Sequence, residues 1–185
     1  MEQDSDEQLM LQYQAGSADA FDVLYQRHRK PMYNYLLQQC RNRAIADELF
    51  QDIWMKLISA RESYQVRALF KTWLYHLAHN RLIDHYRHSQ IRQAEQNGHL
   101  SPTPDQLADN PGAQPDCLLD TQQQIQQLMG LVQNLPADQR DVFLLHEEAG
   151  LELKDIAYVT SCAYETVKSR LRYAIKRLRD GMDHD

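Results

Sequence analysis

Apolar residues recur along most of this chain at steps of three and four, the period of α-helices that bury one face. After Ser17, the segment AFDVLYQRHRKPMYNYLLQQC puts Phe21, Leu24, Tyr25, His28, Met32, Tyr35 and Leu36 on one stripe, with Pro31 inside as an expected kink or break. A second helix is predicted over about 45–60, burying Ile45, Leu49, Ile53 and Leu57 and turning Asp47, Glu48, Gln51 and Asp52 outward. A third, over about 68–92, carries Phe70, Leu74, Leu77 and Ala78 on its core face, and RESYQVR is the one plausible loop before it. The stretch 96–114 gathers Gly98, Pro102, Pro104, Pro111 and Gly112 with little apolar content, so it reads as a flexible linker. Helical periodicity resumes near Cys117 and runs to about Asn134. A further helix follows, opened by Pro136 and closed by Gly150. Then come a short helix in LELKDIAYV, a tight turn at Ser161 and a longer helix in AYETVKSRLRYAIKRLRD. The expectation is an all-α fold: one small helical domain over 1–95, a linker over 96–116 and a second helical domain over 117–185.

Composition narrows this picture. With 185 residues, 43% hydrophobic and 25% charged, the chain has the balance of one globular domain or two small ones. No run approaches the roughly 18 apolar residues of a membrane helix, and MEQDSDEQ lacks the basic and apolar halves of a secretory signal, so a cytoplasmic location is expected. The three cysteines, Cys40, Cys117 and Cys162, lie far apart and form neither a disulfide framework nor a CxxC knuckle.

Charge is informative by position. The net charge of -6 argues against indiscriminate coating of nucleic acid. Yet the first 26 residues and the stretch 93–139 contain no Lys or Arg, while 61–92 adds His76, His79, His85 and His88 to its Lys and Arg and 168–179 holds six Lys or Arg with no acid. Two basic surfaces joined by an acidic tether suggest two contacts with one polyanion.

In the carboxy-terminal helix Val167, Leu171, Ala174 and Leu178 mark the packed face, and Glu165, Lys168, Arg172, Lys176 and Arg179 the opposite one. A mostly cationic helix preceded by a short helix and a turn has the spacing of a DNA-reading helix-turn-helix. Tyr164, Glu165, Lys168, Ser169 and Arg172, in its first turns, would point at base edges, and Lys176, Arg177 and Arg179 at phosphates. A merely solvated basic helix is the alternative. In the third helix Arg81, His85, His88 and Arg92 form a cationic stripe beside Trp73, Tyr75 and Tyr86, an arrangement able to hold unstacked single-stranded bases. Packing competes with stacking for Trp73 and Tyr75; Asn80, able to donate and accept at once, suits an extruded base, or is a plain surface amide. HLAH and HYRH each place two imidazoles at i, i+3, but neither face has a third ligand, so no metal is expected. No catalytic residues and no cofactor are indicated.

The blocks IADELFQDIWMKL, FKTWLYHLAHNRLIDHYRH, LPADQRDVFLLHEEAGLELKDIA and ETVKSRLRYAIKRLR resemble, in order and spacing, the bacterial sigma-70 family, in its extracytoplasmic-function (ECF) group. The resemblance implies a sigma-2 domain, a linker and a sigma-4 domain, in a specificity subunit of RNA polymerase that catalyses nothing itself. It implies that Asp47, Glu48, Gln51 and Asp52 bind the clamp helices of the polymerase β′ subunit, and that the sigma-4 domain docks on the β-flap. Tyr64, Gln65, Val66 and Arg67, with Trp73 and Asn80, would capture a flipped base of the -10 promoter element, and Arg81, His85 and Arg87 would follow the strand. Lys168, Ser169, Arg172 and Tyr173 fall where the family reads the -35 element, with Tyr164, Glu165 and Lys176 flanking them. The partners implied are core RNA polymerase, promoter DNA and a cognate anti-sigma factor, often membrane-bound. Two other readings stay open here: a helix-turn-helix regulator that binds operator DNA unaided, and a polymerase-binding protein without promoter specificity.

Overall fold

The computed structural model describes residues 4–97 and 119–183. Within them the chain is helical, with no strand: α1 (Asp6–Gln14), α2 (Ala18–Cys40), α3 (Arg43–Ser59), a 3-10 turn (Arg61–Ser63), α4 (Phe70–Asn97), α5 (Leu119–Gln133), α6 (Ala137–Glu147), α7 (Leu153–Thr160) and α8 (Tyr164–Met182). The linker expected over 96–116 lies almost wholly outside the described residues. At its start α4 continues helically to Asn97.

The first four helices build one core. Ser5 opens α1 with a capping box, its hydroxyl accepting from the Gln8 N–H while the Gln8 side chain accepts from the Ser5 N–H. This helix, absent from the periodicity reading, buries Leu9 and Met10 against α2 and α4. On α2, Leu24, His28, Met32, Tyr35 and Leu36 of the predicted stripe are buried, and Phe21 and Tyr25 half-buried. Of the kink or break expected at Pro31, a break does not occur: α2 is helical from end to end. α2 packs against both α1 and α3, and that packing offsets the one backbone hydrogen bond lost at Pro31. Asn42 caps α3 through the Ile45 N–H (3.2 Å), after Arg41 leaves α2 in the left-handed region at φ 54°. α3 buries Leu49, Ile53 and Leu57 as its spacing predicts.

The second domain closes around α8, whose predicted inner residues Val167, Leu171, Ala174 and Leu178 are all buried. α6 and α7 supply the facing side chains, among them Val142, Leu145, Ile156 and Val159. Pro136 precedes α6 and Gly150 follows it at φ 58°, both as the sequence suggested. The tight turn between α7 and α8 is made by Ser161, left-handed at φ 53°, where a glycine would carry no Cβ penalty. The two domains also touch, α4 against α7 and α2 against α5 and α6.

Candidate nucleic-acid interface

α7, the Ser161 turn and α8 form a helix-turn-helix whose outer face is open. Burial of the Leu171 row fixes the rotation of α8, and so the opposite row faces solvent: Glu165, Lys168, Arg172, Lys176 and Arg179 are all exposed. Tyr164 and Tyr173 stand out with about half their surface exposed (48% and 50%), while Ser169 is half-buried. Lys168 Nζ lies 3.9 Å from Glu165, a loose pair one turn apart, and the Arg172 guanidinium lies 5.1 Å from the Tyr173 ring centre. A shallow groove of about 560 Å³ runs along this face over a floor of Leu153, Leu171 and Ile175. Arg170, on the side of the helix, ties α8 to Asp138 of α6 and donates to the Cys162 sulfur (3.1 Å). The chemistry available here is that of mobile cationic and phenolic groups on a rigid helix, suited to base edges and phosphates.

The second basic region is more constrained than its sequence suggested. Tyr64 is buried at 6% exposure, its ring 5.0 Å from that of Trp73 and 6.5 Å from that of Phe70. Burial, and then the charges of Glu7 and Asp6, push its hydroxyl up to about 12. α1 fixes the neighbouring backbone: Gln14 donates to the carbonyls of Glu62 and Tyr64, and Glu7 accepts from the Phe70 N–H (2.7 Å) at the start of α4. Beyond Tyr64 the loop is exposed, with Val66 in solvent and Arg67 bonded to Gln65 Oε1 (2.7 Å). Trp73 is half-buried and packs on Tyr64, and Tyr75 is fully buried, so packing accounts for Tyr75 and for one side of Trp73.

Asn80 is exposed, and its Nδ2 lies 3.0 Å from His76 Nε2. Arg81 is not laid along α4 toward solvent. Its Nε and Nη2 contact Asp52 Oδ2 at 2.8 and 2.6 Å, and Nη2 is 3.6 Å from Glu48. His85 is half-buried beside Tyr86, whose hydroxyl donates to the Gln39 carbonyl (2.8 Å); Arg87 and His88 are exposed, and the Arg92 side chain lies outside the described residues. The open surface is therefore Gln65, Val66, Arg67, Asn80, Arg87 and His88, with Trp73 half-buried beside it.

α3 presents a third surface. Glu48 and Gln51 are exposed and Asp52 partly so, while Asp47 accepts from the Tyr33 hydroxyl (2.7 Å), which raises that phenol's pKa. Next to them Met55 (61%) and Ile58 (39%) are exposed, and a cleft of about 610 Å³ opens between Met55 and Leu77. The exposed apolar pair beside the acids was missed in the sequence, although Met55 and Ile58 at i, i+3 off the Leu49–Ile53–Leu57 row was the available signal. No three His, Cys, Asp or Glu side chains among the described residues gather as a metal set; His76 meets Asn80 and His79 meets Asp141. No helix among them is long and apolar enough to cross a membrane.

Comparison with known proteins matches both domains. The family model for Sigma-70 region 2 matches residues 24–91, and that for Sigma-70, region 4 matches residues 125–178. The ECF RNA polymerase sigma factor SigK of Mycobacterium sp. (strain KMS) is 28% identical over 177 residues, covering 93% of this chain and 88% of the relative. RNA polymerase sigma factor CarQ of Myxococcus xanthus is 26% identical over 172 residues, covering 92% and 94%. Among solved structures, the sigma factor RpoE in complex with the anti-sigma factor NepR from Bartonella quintana superposes with a TM-score of 0.71 at 22% identity, over 89% of this chain and 98% of that one. CnrH in complex with the cytosolic domain of CnrY gives 0.68 at 19% identity, over 98% and 99%.

Proposed function

Because this chain belongs to the sigma-70 family, in its extracytoplasmic-function group, and is thus a specificity subunit of RNA polymerase and not an enzyme, we propose that α8 reads the -35 element as duplex while the first domain holds the unpaired -10 strand. The observation that carries this division is the exposed row Lys168–Arg172–Lys176 on a helix-turn-helix, together with a separate domain whose loop 65–67, Asn80 and Trp73 offer polar and aromatic groups to extruded bases. Duplex reading needs a rigid helix that enters a groove; capture of a flipped base needs a pocket, and the pocket offsets the few kcal/mol of unstacking only at the right sequence. Recognition and strand opening then coincide.

Glu48, Gln51 and Asp52, with the exposed Met55 and Ile58 beside them on α3, form the surface for core polymerase, polar groups next to apolar ones. Binding core polymerase places the protein in the cytoplasm. Control by an anti-sigma factor follows from the family, and such a partner would cover the same surfaces that polymerase uses.

The test is to add the purified chain to core polymerase and sequence the transcript starts. The proposal expects new, chain-dependent starts preceded by one common pair of elements. Gln51→Lys with Asp52→Lys should abolish co-purification with core while leaving the helical circular dichroism unchanged. Unaltered initiation, or full operator footprints by the chain without polymerase, would refute it in favour of an ordinary regulator.

A further inference from the structure

α1 spans the loop that carries Gln65, Val66 and Arg67 and holds it at both ends. At the carboxy-terminal end of the helix, Gln14 Nε2 donates to the carbonyls of Glu62 (3.0 Å) and Tyr64 (3.2 Å). At the amino-terminal end, Glu7 Oε1 accepts from the Phe70 N–H (2.7 Å), the first of α4. That N–H needs a partner from another element, because Leu69, whose carbonyl accepts from the Trp73 N–H, stands in the capping position and has no side-chain oxygen to offer. About two turns of helix separate Glu7 from Gln14, so the backbone of α1 fixes the two anchor points relative to each other.

The helix that supplies the anchors is itself seated. Leu9 and Met10 have no exposed surface, Asp6 accepts from Arg27 (2.7 Å) and lies 2.6 Å from His28 Nε2, and the Arg61 guanidinium lies 5.2 Å from the Tyr13 ring centre. Between the anchors the chain is open: Gln65 and Arg67 are exposed, and Val66 and Leu69 keep 52% and 54% of their surface in solvent. Five residues hung between two fixed points sample fewer conformations than a free loop, and order already present before binding is order that base capture need not impose. The Tyr64 anchor reaches further, since its ring lies 5.0 Å from that of Trp73, so a shift of the Tyr64 backbone moves the aromatic side of the site as well.

We propose that Glu7 and Gln14 are positioning residues for the -10 element: α1 is a strut that presets the loop 65–69 and the Trp73 ring, and thereby sets how strictly the extruded base is selected. The proposal rests on the reading that this loop captures that base, and it brings into promoter recognition a helix that lies ahead of the matched residues 24–91. Neither residue touches DNA; each acts through the backbone it holds. The correct base uses every contact the preset loop offers, and a wrong base only some of them, so a loosened loop weakens the correct complex more than the wrong one. A helix that merely stabilised the domain would change the melting temperature and the total output, and would leave the ranking of the four bases as it was.

The experiment uses holoenzyme made with the full chain and four variants, Gln14→Ala, Gln14→Glu, Glu7→Ala and Glu7→Gln, each checked for folding by circular dichroism. Gln14→Glu keeps the shape and removes the donors, while Glu7→Gln keeps an oxygen that can accept from the Phe70 N–H. Start-site mapping with the parent locates the -10 element, and run-off transcription is then measured on templates carrying each of the four bases, unpaired, at each of its positions. Gln14→Ala, Gln14→Glu and Glu7→Ala should each flatten the preference at one -10 position by about three- to tenfold. Preference at -35 and competition for limiting core polymerase should match the parent, and Glu7→Gln should keep the parent preference to within about twofold. In the free chain, the amides of 65–69 should exchange hydrogen faster in Gln14→Ala than in the parent, as read by mass spectrometry. An equal fall on all four bases, an unchanged exchange rate in Gln14→Ala, or Glu7→Gln behaving like Glu7→Ala would overturn the strut. A parent holoenzyme that prefers no base at any -10 position would overturn the reading of the loop and the strut with it. A parent preference that the variants leave unmoved would overturn the strut alone, so the two failures are distinguishable.

Discussion

Replacing Lys168 and Arg172 singly by Ala tests the -35 face, and the structure ranks the two. A cation that makes a good base-edge contact is worth about 1–3 kcal/mol of discrimination, or roughly five- to 150-fold. Lys168 must first leave Glu165, at 3.9 Å with side chains 60% and 78% exposed, and a pair that open is worth at most about 1 kcal/mol. Arg172 has no such partner among its described contacts; it rests against Tyr173, a contact that can persist while the fork of the guanidinium reaches the groove. Arg172→Ala should therefore cost more than Lys168→Ala, and Glu165→Gln should strengthen -35 binding by less than about fivefold. Both residues are exposed, so thermal stability should stay within about 0.5 kcal/mol of the parent. The assay is run-off transcription by holoenzyme on a promoter and on templates with single -35 substitutions. A base contact predicts that each variant loses preference at one position. Should Arg172→Ala lower transcription from every template equally, its role is a phosphate contact and the assignment fails.

Three further outcomes follow from the fold. Asp6 accepts from His28 (2.6 Å) and Arg27 (2.7 Å), and the hydrogen bond from His28, against the opposing effect of burial and aided by Arg27, lowers its pKa below the usual 3.8. That stability is present above pH 3.8 and lost as pH falls through the lower folded value, so Asp6→Asn should cost about 1–2 kcal/mol in urea melts at neutral pH, with the gap closing in acid; a gap that widens in acid refutes the pairing. Burial pushes the Cys40 thiol up to about 12, so iodoacetamide at pH 8 should leave Cys40 unmodified in the native chain and label it in urea, as read by mass spectrometry. Ser161→Gly should relieve the left-handed turn at φ 53° and stabilise the second domain by about 0.5–1 kcal/mol, seen as a melting temperature higher by a few degrees; a lower one would show that Ser161 contributes more than its backbone angle.

The helices α2 to α8 were legible in the sequence because amphipathic periodicity is a local property: the spacing of Leu49, Ile53 and Leu57, or of Val167, Leu171, Ala174 and Leu178, dictates which face each helix buries whatever it packs against. The same logic left the cationic row of α8 in solvent, as expected. α1 was not read from the sequence: its nine residues carry too short a stripe to stand out by period, and the Ser5–Gln8 capping box ahead of Leu9, Met10 and Tyr13 was the signal available.

Partners across elements were another matter. Arg81 and Asn80 look equally free on a helical wheel, yet Arg81 is folded onto Asp52 and Glu48 of α3 and Asn80 meets a histidine one turn back. Tyr64 sits in a polar loop and is buried, since Phe70 and Trp73 from the next helix close over it. Asp141 of α6 meets Tyr35 and Gln39 of α2, about a hundred residues away, and His79 of α4, about sixty away, and no local pattern announces either. Sequence alone determined the helices, their buried faces and the two-domain plan, because those follow from hydrophobic burial repeated over a few turns. Tertiary structure decided which charged and polar side chains remain available to a ligand, because a hydrogen bond or ion pair depends on ångström-scale placement of groups that no local pattern brings together.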